Sequence, residues 1–277
     1  MNMKEHYQLV IAMVLFIFIA LVCPPVFAED TGQKSQSIEA WEFQLSPYFW
    51  MPSVSADATV KGQTANIDLS FGDILKNFSV FGLSGRFEAW KGNWGFMFDG
   101  LYTHLNGDFS TPAPDIEVTI DQVVLDFALG YRFRPIPLKN NHDLPALRFT
   151  IYGGLRYNYL YQGINLRFER PLIPVSGVVL SGSASFVEPL LQCRLGLCLT
   201  EKFSLLLRGD VGGFGFVSGS NLDWNVLVGF DYRFHPKVSA KIGYRVYGID
   251  YERGSGNDRF GLSGLFYGPM VAMTFYL

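Results

Sequence analysis

The sequence predicts an all-β chain that closes into a transmembrane antiparallel up-and-down β-barrel of about ten strands, with eight and twelve as the neighbouring even counts. Three observations carry this expectation. Apolar and polar residues alternate with period two in segment after segment, up to the last residue. The composition is aromatic-rich and charge-poor: 16% aromatic and only 17% charged, where soluble domains carry about a quarter charged residues. The segments are joined by connections that are short and long in turn, as when strands run up and down between two unlike sides.

Residues 1–28 read as an export segment. Lys4 and His6 precede an unbroken apolar run from Leu9 to Val22, short for a bilayer span, and Pro24-Pro25 end any helix there. Val26-Phe27-Ala28 fits a small-residue cleavage site, which places maturation between Ala28 and Glu29. An uncleaved anchor is the competing reading. Lipid attachment at Cys23 is disfavoured by the bulk of Val22 before it and by Pro24 after it. Residues 29–40 form a polar linker and residues 41–277 the barrel domain. Cys193 and Cys198, five residues apart on one strand, are separated by roughly 17 Å and face opposite ways, so they cannot be bridged.

The strands expected are 41–52, 80–90, 94–106, 118–134, 147–160, 186–199, 203–213, 223–234, 238–248 and 263–277. Most supply the roughly 9–11 residues that a tilted strand needs to cross a membrane. The clearest alternation runs from Leu147 to Tyr159, with Phe149, Ile151, Leu155 and Tyr157 on one face and Arg148, Thr150, Arg156 and Asn158 on the other. Lys91-Gly92-Asn93, Thr200-Glu201-Lys202 and His235-Pro236-Lys237 are tight turns, and Arg134–Ala146 is a longer one; segments near 53–79, 107–117, 161–185, 214–222 and 249–262 are the long loops. Aromatics gather near strand ends in two belts: Trp41, Phe43, Trp90, Trp94, Tyr131, Phe133, Phe203, Tyr232, Phe234 and Phe275 at the turn side, and Phe49, Trp50, Phe81, Tyr102, Tyr157, Tyr159, Phe186, Trp224 and Tyr247 at the loop side.

Five stretches carry a resemblance: Ser46-Pro47-Tyr48-Phe49-Trp50-Met51-Pro52, Asp73-Ile74-Leu75-Lys76-Asn77, Lys91-Gly92-Asn93-Trp94-Gly95, Gly209-Asp210-Val211-Gly212-Gly213-Phe214-Gly215 and Lys241-Ile242-Gly243-Tyr244-Arg245. In these the chain resembles the small, porin-like β-barrel proteins of Gram-negative outer membranes. The resemblance implies an outer-membrane location with both termini in the periplasm, and contact with outer-membrane lipid and with the outer-membrane assembly machinery. The last strand, with Phe275 and Leu277 on one face, resembles an assembly signal but ends in Leu where Phe is usual. No particular activity is implied, because barrels of one shape host many functions.

The residues themselves exclude several function classes. A net charge of -3, with no basic cluster, does not suit nucleic acid. No metal, cofactor or nucleophile motif is present, and the expectation is a protein that is not an enzyme. His104 shares the parity of the lipid-facing Phe96, Phe98 and Tyr102, while Asp99 faces the other way, so a bland rim histidine is the stronger reading than an active site. The lumen side is expected to carry a charge network of Arg86, Glu88, Asp99, Asp126, Arg132, Arg148, Arg156, Glu188, Arg194, Arg208, Asp210, Asp231, Arg233, Lys241 and Arg245. That network either fills the barrel or lines a narrow passive conduit for a small solute. A structural or surface-binding, adhesion-type barrel is the other class.

Residues 54–69 read as a hairpin turning at Lys61-Gly62-Gln63. Ser70 is placed to cap a short helix whose Ile74, Leu75 and Phe78 form a candidate plug for the barrel mouth, or a cluster local to the loop. The export and barrel readings together predict a mature protein that begins at Glu29, fractionates with outer membranes and migrates faster unboiled than boiled on a denaturing gel. Recovery as a soluble periplasmic protein contradicts them.

Overall fold

The computed structural model describes residues 40–72, 80–109, 115–139, 142–167, 177–213 and 220–277. Residues 1–28, read from the sequence as an export segment, and all but the last residue of the expected linker over 29–40 lie outside the described residues. The strands in chain order are β1 (Trp41–Trp50), β2 (Ser53–Val60), β3 (Gln63–Leu69), β4 (Val80–Lys91), β5 (Trp94–Phe109), β6 (Asp115–Arg132), β7 (Ile136–Lys139), β8 (His142–Arg167), β9 (Gly177–Cys198), β10 (Phe203–Gly212), β11 (Ser220–His235), β12 (Val238–Arg253) and β13 (Phe260–Tyr276).

Ten of these, β1, β4, β5, β6, β8, β9, β10, β11, β12 and β13, pair antiparallel in that order, and β13 returns to β1, so the sheet closes. Where the ring is complete, closure leaves no free edge and turns alternate side chains inward. On β6 the even residues Gln122, Val124, Asp126 and Ala128 are buried, while Phe127 and Leu129 are exposed outward. The same parity holds around the wall, leaving Trp41, Phe43, Trp94, Leu155, Val228, Phe230, Ile242, Tyr244, Val271 and Met273 exposed. An apolar belt of this extent belongs against an apolar phase rather than water.

Two sequence expectations change. The strands β8 and β9 outrun the expected lengths most: β8 covers 26 residues where 14 are expected over 147–160, and β9 covers 22 where 14 are expected over 186–199. Pairing continues beyond the length of a membrane crossing because the registers of β5–β6, β6–β8 and β8–β9 are unbroken to the strand ends. The second change concerns aromatics: Trp50, Trp90, Phe186 and Tyr247 point into the barrel and are buried, and do not join the outward belts. Trp90 lies where Gly95 and Gly130 provide the room, since a Cβ at either would meet its indole within about 3 Å. Phe186 stacks on Tyr251 at 4.4 Å.

The segment 54–69 is a hairpin, with Val60 paired to Gln63 around a two-residue turn. Lys61 and Gly62 have φ of 49° and 77°, the left-handed pair that such a turn requires. It is not a free loop. β13 pairs with β1 through residues 270–276 and with β2 through residues 261–267, so β1 and β2 act as one strand bent at Met51-Pro52. β4 pairs with β1 only as far as Tyr48↔Ser84; beyond that point β2 parts from β4, stays paired to β13 and approaches β8 and β9 on the far side, carrying β3 with it. Val54, Ala56, Ala58, Val60 and Ile67 pack there on Leu101, Ile120, Val124, Leu160, Ala184 and Phe186. The hairpin's other face, Ser55, Asp57, Asn66 and Asp68, is polar and more open to solvent. A two-sided ribbon of this kind makes a lid over the loop end of the lumen.

The candidate plug residues Ile74, Leu75 and Phe78 lie outside the described residues. Among the described residues, the element that packs over the loop end of the lumen is β2–β3. Ile67 is fully buried, so Ile67→Ala should cost about 2–5 kcal/mol of folding stability. Leu129→Ala, at an outward position with 66% exposure, should cost much less. Equilibrium unfolding from detergent micelles measures both.

Candidate functional site: the charged lumen

Cross-strand register assembles the lumen charges. Ser46, Arg86, Asp99, Asp126, Arg156 and Glu188 lie in one continuous row across β1, β4, β5, β6, β8 and β9. A second row brings Arg194, Arg208, Leu227 and Arg245 together across β9, β10, β11 and β12. Between them run Gln192, Asp210, Asn225 and Tyr247. All have the inward parity, so the lumen is filled by two interleaved sets of bonds.

The first set is arginine-rich. Arg86 donates through Nε to Glu88 at 2.6 Å and through Nη1 to Asp99 at 3.2 Å, and Arg208 reaches the same Asp99 oxygen at 3.3 Å. Arg194 grips both oxygens of Glu88 at 2.7 and 3.0 Å. Tyr48 donates to Asp99 at 2.8 Å, and the Trp90 indole donates to Glu88 at 2.9 Å. Arg245 lies over the Trp50 ring, 4.5 Å from its centroid, and donates to Asn225.

The second set is carboxylate-rich. Arg156, 1% exposed, holds Asp126 with two bonds of 2.7 and 2.9 Å, Asp210 at 2.9 Å and Asp223 at 2.8 Å. Asn225 donates to Asp210 and Asn158 to Glu188. One guanidinium serving three carboxylates exhausts its fork geometry.

The remaining expected network residues have the inward parity but sit at the wetter turn end. Arg132 binds Glu42 with two bonds of 2.7 and 2.8 Å and covers the Trp90 ring. Arg148 is exposed. Asp231 and Lys241 face each other at 3.7 Å, and Arg233 lies over the Tyr276 ring. Sequence reasoning missed Asp223, Glu42, Tyr48, Trp90, Gln192 and Asn225 as members of these sets. Asp223 had a usable signal, because it lies one pleat before Asn225 on the same face.

Several buried polar atoms have no hydrogen-bond partner among the described residues, including Arg86 Nη2, Arg208 Nε, Arg245 Nη1, Gln192 Nε2 and Asp223 Oδ1. Buried groups of this kind, four N–H donors and one carboxylate acceptor, call for water or a ligand. On the outward face His104 Nδ1 lies 2.6 Å from Asp121, which also accepts from Tyr102 at 3.2 Å. His104 therefore has a carboxylate neighbour on the next strand, which the parity argument did not reveal, while Asp99 points inward as expected. Near the loop end, a hydrogen bond from Arg259 holds the Glu252 carboxyl below its ordinary range. Cys193 and Cys198 are both free. Among the described residues no group of three or more His, Cys, Asp and Glu side chains forms a metal site.

No family model matches the chain, and no curated relative does. Solved structures do, and those it resembles are outer-membrane β-barrel proteins. The translocator domain of the autotransporter NalP from Neisseria meningitidis aligns at 12% identity and a TM-score of 0.39, over 98% of this chain and 97% of that one. An outer-membrane channel from Pseudomonas putida F1 aligns at 8% identity and a TM-score of 0.35, over 91% and 100%. The attachment invasion locus protein Ail of Yersinia pestis, solved with a heparin analogue, aligns at 10% identity and a TM-score of 0.34, over 86% and 99%.

Removing Arg156 tests the lumen directly. Arg156→Ala strands three buried carboxylates and should cost on the order of 3–5 kcal/mol, with Arg148→Ala at the open end near zero. Urea unfolding of the two variants side by side gives the comparison.

Proposed function

We propose that this chain is an integral outer-membrane barrel whose lumen is closed at rest, and that it works as a surface-presenting envelope barrel rather than as an open pore. The observation that carries this reading is the lid: Ala58 and Ile67 of the β2–β3 hairpin are fully buried on the inner wall, above a lumen already crossed by the Arg156 and Arg86 networks. A ten-stranded wall is only slightly wider than the roughly eight-stranded barrels whose interiors side chains fill, so lid and network together suffice to close it. In this reading the short connections face the periplasm, with both termini there, and the long ones face outward. Outer-membrane lipid covers the apolar belt, and the assembly machinery inserts the chain.

A second reading, a narrow gated conduit, has one observation in its favour. The partnerless donors Arg86 Nη2, Arg208 Nε, Arg245 Nη1 and Gln192 Nε2 lie beneath the lid and require hydration. One experiment separates the two. In planar bilayers the wild-type protein should show no reproducible steps, and neither should a variant with residues 53–69 replaced by a short glycine-serine linker. Silence in both, with heat-modifiable folding intact, supports the closed barrel. Steps in the linker variant alone favour the gated conduit, and steps in the wild type overturn the closed state.

A further inference from the structure

The carboxylate-rich half of the lumen carries a feature that neither reading uses. Gly212 ends β10, in register between Leu190 of β9 and Asp223 of β11. A Cβ at Gly212 would sit 2.4 Å from Asp223 Oδ1, 3.2 Å from Glu188 Oε1 and 3.3 Å from the Pro189 carbonyl oxygen. Three oxygens from two strands therefore converge on a cradle that any larger residue would fill. Asp223 is 1% exposed, and its two oxygens differ: Oδ2 takes Arg156 at 2.8 Å and Tyr247 at 3.4 Å, whereas Oδ1, aimed at the cradle, has no hydrogen-bond partner among the described residues.

Charge points the same way. Asp126, Asp210 and Asp223 share the single guanidinium of Arg156. The other nearby arginines are engaged elsewhere, Arg208 on Asp99 and Arg245 on Asn225. A buried set with more carboxylates than cations is costly unless further positive charge joins it. Two carboxylates and a backbone carbonyl, all oxygen, are the donor set of a hard cation and not of a thiophilic or imidazole-seeking metal.

We infer that the cradle at Gly212, formed by Asp223, Glu188 and the Pro189 carbonyl, binds a hard cation of the calcium class and thereby locks β9, β10 and β11 together beneath the lid.

The test uses the full barrel domain refolded into detergent micelles with calcium or with a chelator, because a site this buried loads as the barrel closes. Calcium should raise the urea midpoint of the wild type, and the shift should vanish in Asp223→Asn and in Gly212→Ala but persist in Asp231→Asn. Terbium refolded with the wild type should give tyrosine-sensitised emission through Tyr247, at least tenfold above that of Asp223→Asn, and calcium should displace it. If one of the two cradle variants does not refold, the other variant and the wild-type calcium shift still decide. Terbium emission that survives in Asp223→Asn or Gly212→Ala overturns the site. So does a wild type indifferent to calcium, magnesium and sodium whose Asp223→Asn variant is at least as stable, since Asp223 would then carry a proton in place of a metal ion.

Discussion

Closing ten strands on themselves forces half of every strand's side chains into a space that must be filled, and the rest of the architecture answers to that constraint. Pairing β13 back onto β1 removes the free edge of the wall. It also commits Arg86, Asp99, Asp126, Arg156 and Glu188 to one inward row, where no single side chain can satisfy its own charge. The bonds therefore cross the interior, as from Arg86 on β4 to Gln192 on β9 and from Arg156 on β8 to Asp223 on β11. These bonds tie together strands that are not neighbours in the sheet. Hydrogen bonding along the wall sets the cylinder, and the arginines set its cross-section.

The lumen divides along its length into materials with different physics. At the turn end Arg132, Glu42 and Arg148 are in contact with water, where ion pairs contribute little. In the middle the charges are buried, and their geometry matters in proportion. At the loop end, bonding gives way to apolar packing of the hairpin on Leu101, Val124, Leu160 and Phe186. The bend at Met51-Pro52 makes this possible: β13 pairs with β1 and then β2 along its length, so one chain segment serves first as wall and then as lid.

Much of the wall was legible in the sequence because a strand's two faces appear directly as period two. Arg156 and Leu155 could be assigned to opposite sides without any structure. What lay beyond reach depends on relations between strands. The pairing of His104 with Asp121 and the gathering of Asp126, Asp210 and Asp223 on one arginine are set by register, which one strand's periodicity does not carry. Aromatics misled for a different reason. Trp90 and Phe186 are as suited to filling a lumen as to anchoring in an interface, and the discriminating signal for Trp90 was the pair of glycines, Gly95 and Gly130, across from it. The hairpin over 54–69 was legible as two strands and a turn, but its docking was not, because an apolar ribbon face fits a local cluster and a barrel wall equally well.

The claim that the lid is seated inside the barrel is the one on which the closed lumen rests, and a disulfide reports it directly. Val60 Cγ1 lies 3.7 Å from where a Cβ at Gly182 of β9 would sit. A Cβ there would also meet the Phe260 ring at 2.8 Å, so the test is made in a Phe260→Ala background: with Cys193 and Cys198 replaced by serine, Val60→Cys combined with Gly182→Cys should form an intramolecular bridge in the folded, membrane-inserted protein, detected as a linked peptide pair by mass spectrometry. Two free thiols that both react with a membrane-impermeant maleimide under the same conditions would contradict the account.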